Sequence, residues 1–285
     1  MATGFFTDTS VCIGCKACEV ACKQWNQLPA DGYALTGESY DNTSSLGATT
    51  WRHVTFIEQM ATKPQIPLLN LKVDLPQASL LVEGLPLTAN LPGQDGLPRW
   101  LMMSNVCKHC TNAGCLEACP TGAIIRNEFD DVYIQPDICN GCGYCVPACP
   151  FGVVELAKDD GRAFKCTLCY DRQKDGLEPA CAKACPTDSI IFGDITELKV
   201  VAEKRVEELQ NRGYTNAYLY GADENSEVGR LNAFFLLLDK PQVYGLPENP
   251  PLPQNKAKNG WLASLAASAV AGAVVAIAFG KGRNK

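Results

Sequence analysis

The placement of the cysteines constrains this chain more than any other feature. All sixteen fall into four groups of four: Cys12, Cys15, Cys18 and Cys22; Cys107, Cys110, Cys115 and Cys119; Cys139, Cys142, Cys145 and Cys149; and Cys166, Cys169, Cys181 and Cys185. The first and third groups read C-x2-C-x2-C-x3-C, the second C-x2-C-x4-C-x3-C and the fourth C-x2-C-x11-C-x3-C. Three of them run into proline, at Pro120, Pro150 and Pro186. A [4Fe–4S] cube needs four thiolates converging from different directions, and two-residue gaps wrap three sulfurs around one face of it. Small residues between the ligands (Gly14, Ala17, Gly141, Gly143) let backbone N–H groups approach an anionic cluster. Disulfides would not demand four equal quartets, and structural zinc prefers two C-x2-C pairs across a longer finger. The fourth group alone resembles half of a zinc ribbon. Its ending argues otherwise: Ala184-Cys185-Pro186-Thr187-Asp188-Ser189-Ile190-Ile191 parallels Ala118-Cys119-Pro120-Thr121-Gly122-Ala123-Ile124-Ile125.

That parallel is an internal repeat, and it predicts how the groups pair. In two-cluster ferredoxins the last Cys-Pro of each run ligates the cluster of the other run. Groups two and three, separated by little more than Tyr133-Ile134-Gln135-Pro136-Asp137, have the layout of one complete two-cluster unit. Groups one and four then form a second unit, split open by insertion of the first. The expected ligand sets are Cys107/Cys110/Cys115/Cys149, Cys139/Cys142/Cys145/Cys119, Cys12/Cys15/Cys18/Cys185 and Cys166/Cys169/Cys181/Cys22, for four [4Fe–4S] clusters. The expected fold is α+β: two interlocked bacterial-ferredoxin-like units and a single C-terminal transmembrane helix. The chain divides into residues 1–26 (first half of the split unit), 27–100 (loop-rich insertion), 101–158 (complete unit), 159–195 (second half), 196–258 (helix and partner-docking extension) and 259–281 (anchor).

Outside the cysteines the signals are weaker. Residues 27–100 are punctuated by proline and glycine, with strands expected over Trp51–Ile57 and Leu68–Val73 and no function legible. Glu197–Arg212 reads as an amphipathic surface helix burying Leu198, Val201, Val206 and Leu209 and stopped by Gly213. Trp261–Phe279 has no charge over nineteen residues, about 28 Å of helix, and reads as a membrane span; a buried core helix is the alternative. Trp261 sits where an interfacial aromatic belongs, and Ser264, Ser268, Gly272, Ala276 and Gly280 form a small-residue stripe. Lys281, Arg283 and Lys285 after the span outnumber Lys256 and Lys258 before it, which places the C-terminus in the cytoplasm and the cysteine-rich part outside it.

Twenty-five basic against 31 acidic residues, with no long basic run, disfavours nucleic acid as a partner. With 46% hydrophobic residues the chain is not a disordered one. Met1–Val11 is no export signal. The two histidines, His53 and His109, lie off the apolar helix, so that helix offers no histidine pair to a haem; His109 is expected to neighbour a cluster without ligating it. No P-loop, dinucleotide fingerprint or Ser/His/Asp constellation appears. Such a chain carries electrons and leaves bond chemistry to others.

The run order and spacing, with Cys12-Ile-Gly-Cys-Lys-Ala-Cys18, Cys22-Lys-Gln-Trp25-Asn26, Asn140-Gly-Cys-Gly-Tyr-Cys145, Cys149-Pro-Phe151, Lys165-Cys-Thr-Leu-Cys169, Glu178-Pro-Ala-Cys181, Arg212-Gly-Tyr214 and Tyr244-Gly-Leu-Pro247, resemble the four-cluster iron–sulfur β subunits of the molybdopterin oxidoreductase superfamily. Trp25-Asn26, Tyr244-Gly-Leu-Pro247 and the single terminal span are most similar to membrane-bound respiratory formate dehydrogenase. The resemblance implies a catalytic α subunit with a molybdenum or tungsten pterin cofactor and a membrane cytochrome b or similar quinone-linked subunit. It also implies residence at the cytoplasmic membrane, with export on a partner that carries a twin-arginine signal. A β subunit of another molybdopterin enzyme or of a hydrogenase, and a membrane-anchored zinc scaffold, are the alternatives.

Overall fold

The segments between neighbouring cysteines are too short for more than a turn of helix, so regular structure concentrates where the chain leaves them. The computed structural model describes residues 2–32, 41, 43–59 and 99–282; the strand expected over Leu68–Val73 and the cations Arg283 and Lys285 lie outside the described residues. Strand β1 (Thr3–Asp8) leads into helix α1 (Ala17–Trp25), and β2 (Arg52–Gln59) pairs antiparallel with β3 (Arg99–Val106). Then come α2 (Gly114–Glu117), the pair β4 (Ile124–Arg126) and β5 (Val132–Ile134), α3 (Cys145–Ala148), the pair β6 (Glu155–Leu156) and β7 (Ala163–Phe164), α4 (Tyr170–Lys174) and α5 (Ala180–Lys183). The chain ends with β8 (Ile190–Asp194), α6 (Ile195–Asn211), β9 (Tyr218–Tyr220), β10 (Ala233–Leu237), a 3-10 turn at Pro241–Tyr244 and α7 (Pro253–Gly282).

In all four groups the C-x3-C segment is helical: α1 carries Cys18 and Cys22, and α2, α3 and α5 each begin at or beside the third cysteine and stop before the fourth. Residues four apart share a helix face, so each turn presents two sulfurs side by side. The main sheet has the order β8-β1-β10-β9. β1 lies antiparallel to β8 and parallel to β10, with Phe5 opposite both Phe192 and Ala233. The Ala233-Phe-Phe-Leu-Leu237 run is buried throughout, as a strand covered on both faces must be. Residues 196–258, read from sequence as a helix and a docking extension, thus supply two strands of this sheet as well as most of α6.

Helix α6 packs on β1, β8 and β9, covering one sheet as expected, with boundaries shifted by one or two residues from the sequence reading. Its buried face is Ile195, Leu198, Ala202 and Leu209, whereas Val201 is half exposed. The 3.6-residue period turns Val201 out of the stripe and brings Ala202 in. Asp194 caps the helix, its Oδ1 accepting from the backbone N–H of Thr196 (2.8 Å) and Glu197 (3.3 Å). The strand expected at Trp51–Ile57 is β2, one residue later at its start and two at its end.

Helix α7 begins eight residues before Trp261, and Pro253–Ile277 is long and apolar enough to cross a membrane. Residues 261–277 are exposed throughout, Trp261, Leu262, Leu265 and Ile277 among them. Among the described residues nothing buries this part of the helix as a core helix would be buried.

Candidate iron–sulfur centres

Ligand loops must reverse tightly to aim several sulfurs at one point, and each group does so through residues in the left-handed region. These are Gly14 (φ 65°) and Lys16 (59°) in the first group, His109 (45°) in the second, Gly141 (74°) and Gly143 (76°) in the third, and Leu168 (55°) with Cys169 (50°) in the fourth. At Gly14 the demand is also steric: a Cβ would stand 2.6 Å from Phe56 Cε1 and 2.8 Å from Met102 Sδ. Lys16, His109, Leu168 and Cys169 carry side chains at the same task, which costs on the order of 1 kcal/mol each.

The cysteines gather across the groups. Cys12, Cys15, Cys18 and Cys185 line one cavity, Cys107, Cys110, Cys115 and Cys149 a second, and Cys119, Cys139, Cys142 and Cys145 a third. Cys22, Cys166, Cys169 and Cys181 form the fourth set: Cys169 and Cys181 lie close enough to help push up the Cys22 thiol, and Cys22, Cys169 and Cys181 to help push up the Cys166 thiol. Each helical C-x3-C turn therefore contributes its two cysteines to different sets. The sets also have neighbours: Cys181 bears electrostatically on Cys18, Cys107 on Cys166, and Cys145 on Cys115. They follow one another in the order Cys15 set, Cys181 set, Cys110 set, Cys142 set. Cys15 and Cys142, at the two ends of this row, are the exposed cysteines, beside exposed Ile13 at one end and Ile138 and Tyr144 at the other.

Four thiols around a single zinc would stand about 3.8 Å apart, given zinc–sulfur bonds of about 2.3 Å. Among the described residues no three His, Cys, Asp or Glu side chains converge in a way that could hold a single ion. Three of the sets line a cavity instead, as a cube with sulfur ligands on its outer corners requires. Burial pushes the Cys18 and Cys115 thiols up to about 12 and the Cys145 and Cys169 thiols to about 11. Only a bound metal would keep such sulfurs as thiolates at neutral pH.

What surrounds the sets is cationic. Arg52, Lys108 and Lys165 are each at most 2% exposed. Arg52 Nη2 donates to Cys181 Sγ (3.1 Å) and Nη1 to Ser104 Oγ and O (3.3 Å). Lys108 Nζ donates to Asn105 Oδ1 (2.5 Å) and Val106 O (2.6 Å) and lies 5.2 Å from the Phe151 ring centre. Lys165 donates to the carbonyls of Val132 and Cys166 and to Cys107. Among the described residues these hydrogen bonds end on neutral groups and sulfurs, never on a carboxylate. Burial works against each charge; the Cys181, Cys18 and Cys166 thiolates more than restore it at Arg52, whereas Lys108 stays lowered, to about 8.

His109 lines the Cys110 cavity, and neither ring nitrogen has a hydrogen-bond partner among the described residues. Burial and the nearby Lys165 and Arg126 hold its pKa well below the usual range, so the ring is neutral. A buried orphan donor beside four thiols fits a cavity that receives a sulfide-bearing group. His53 turns elsewhere, to Asp41 Oδ2 at 2.7 Å. An open groove runs along β9, past Tyr218, Tyr220, Asp223, Lys240 and Glu248, and holds no cysteine.

Spacing alone groups the sulfurs. The cations were missed, among them Arg52, which reaches Cys181 from the 27–100 segment in which no function was legible. A usable signal existed for the lysines, which directly adjoin ligand cysteines in Cys107-Lys108 and Lys165-Cys166.

Residues 98–195 match the family model of a 4Fe-4S dicluster domain. The chain is 40% identical over 247 residues to the formate dehydrogenase iron-sulfur subunit of Haemophilus influenzae, an alignment covering 85% of this chain and 68% of that protein. Against the nitrate-inducible formate dehydrogenase iron-sulfur subunit of Escherichia coli, identity is 37% over 275 residues, with 95% and 80% covered. The B subunit of the anaerobic dimethyl sulfoxide reductase of Escherichia coli is a more distant relative, 29% identical over 196 residues, with 69% and 75% covered.

Proposed function

Because this protein belongs to the iron–sulfur subunits of formate dehydrogenase, electron-transfer subunits that leave catalysis to another chain, we propose that its four cysteine sets hold four [4Fe–4S] clusters in a row. When bound, such clusters supply reversible one-electron exchange. Cys12/Cys15/Cys18/Cys185, Cys22/Cys166/Cys169/Cys181, Cys107/Cys110/Cys115/Cys149 and Cys119/Cys139/Cys142/Cys145 are the ligands, and this exchange of fourth ligands is what interlocks the two units. The observation that carries the reading is the trio of Arg52, Lys108 and Lys165, buried with no carboxylate partner among the described residues. An unanswered buried charge costs several kcal/mol, and an anionic group in the adjoining cavities answers all three.

The exposed ends of the row serve partner subunits. The start of α7 lies against α2, with Leu252 and Pro253 beside Gly114, so the Cys110 and Cys142 sets are on the anchor side. The Cys15 end accepts electrons from a formate-oxidising molybdenum or tungsten pterin subunit, and the Cys142 end delivers them to a quinone-linked cytochrome b type subunit. Helix α7 is a single membrane span: the Ser264 and Ser268 hydroxyls donate to the carbonyls four residues back, at 2.9 and 2.8 Å, leaving no side-chain hydroxyl unpaired to lipid. Lys281, Arg283 and Lys285 put its C-terminus in the cytoplasm and the clusters on the other side.

Chemical analysis of the purified complex tests the count, with about sixteen irons and as many labile sulfides expected from this chain. Zinc in their place ends the proposal. Formate added anaerobically must bleach the visible absorption of the clusters. The ligand exchange is read from pairs of variants: Cys149→Ser must lose the same paramagnetic signal as Cys110→Ser, and Cys119→Ser the same signal as Cys142→Ser. If Cys149→Ser instead matches Cys142→Ser, each run closes its own cluster.

A further inference from the structure

Arg52 touches one cysteine set and reaches a second through Ser104. Its Nη2 donates to Cys181 Sγ at 3.1 Å, and its Nη1 lies 3.3 Å from Ser104 Oγ, which is itself 3.2 Å from Cys18 Sγ. A hydroxyl that accepts from the guanidinium keeps its own proton to give, so Ser104 donates onward to the Cys18 sulfur. The result is a continuous chain, Cys18–Ser104–Arg52–Cys181, joining the Cys15 set to the Cys181 set. The geometry points to Arg52 and Ser104 as a positioning pair that sets the reduction potentials of both clusters. This rests on the reading that both sets hold clusters.

Three features make the link more than packing. Arg52 is 1% exposed and Ser104 is equally buried, so water does not screen the charge. The guanidinium carbon lies 4.7 Å from the centre of the Phe5 ring, which fixes the plane of the fork. Arginine stays charged at every accessible pH, so the stabilisation is permanent. Adding an electron to an anionic cluster beside a fixed cation is easier than adding it without one, and hydrogen bonds to the ligand sulfurs act in the same direction. Both potentials are therefore held up by one residue.

Redox titration of the whole complex, followed by electron paramagnetic resonance, tests this with Arg52→Gln, Arg52→Lys and Ser104→Ala. In Arg52→Gln the signals of the Cys15 and Cys181 sets shift so that the oxidised-to-reduced ratio at a fixed poise rises at least tenfold, equivalent to 59 mV for a one-electron couple. The signals of the Cys110 and Cys142 sets stay where they were. Arg52→Lys, which keeps the charge, stays within about threefold of the wild type, and Ser104→Ala lowers the Cys15 set alone. Wild-type potentials in a fully loaded Arg52→Gln complex overturn the inference, as do equal shifts in the Gln and Lys variants. If Arg52→Gln loads incompletely, Ser104→Ala decides: a selective shift supports the link, and no shift refutes it. Failure of the underlying cluster reading shows separately, as a wild-type complex short of its sixteen irons.

Discussion

Asp131 is fully buried, and its Oδ1 has no hydrogen-bond partner among the described residues while Oδ2 accepts from Gln173 Nε2 at 2.7 Å. Burial raises its carboxyl to about 7, against about 4 in an unfolded chain. The folded state then holds a proton that the unfolded state has released, so this residue's contribution is fully present below about pH 4 and is lost as pH rises through 7. The difference across that window is about 4 kcal/mol at most. Asp131→Asn removes the titration, and its denaturation midpoint should lose this fall in stability between about pH 4 and pH 7. A slope as steep as the wild type's would place the proton elsewhere. Gly14→Ala meets a left-handed backbone and the Phe56 ring together, and it should cost the Cys15 set its iron while the other three sets stay loaded. At this scale the sulfurs were legible because ligand spacing is local. Arg52 was not, because it answers Cys181 across 129 residues of chain, a relation that no window of sequence contains.

Among the elements, α6 carries its own punctuation. Asp194→Ala removes the cap on two backbone N–H groups and should lower stability by about 1 kcal/mol, with Asp194→Asn nearly neutral. Phe235 stands in the middle of β10, fully buried and opposite Thr7 of β1; Phe235→Ala should cost about 3–5 kcal/mol, readable as a drop in thermal midpoint. Helix α6 was legible from its apolar period, although Val201 and Ala202 exchanged places because one residue of phase is a turn of 100°. Strand β10 was not legible. Five consecutive apolar residues show no alternation, and the strand that gives them a place lies at the far end of the sequence.

In the whole molecule, one long apolar surface stands uncovered among the described residues. The apolar length of α7 is exposed from Trp261 to Ile277, whereas the cysteine sets lie in cores built by the rest of the chain. Ending the chain after Asn259 should release it from the membrane fraction with its iron complement unchanged; a released chain that has lost iron would tie the anchor to the clusters. The sheet order has a further consequence, in time. β1 is made first, yet it lies between β8 and β10, pairing Phe5 with Phe192 on one side and Ala233 on the other. At about 5–20 residues per second, some ten to fifty seconds separate the synthesis of β1 from that of β10. Throughout that interval Cys12, Cys15 and Cys18 are made and Cys185 comes late, so the first three sulfurs wait, unsheathed, for the last.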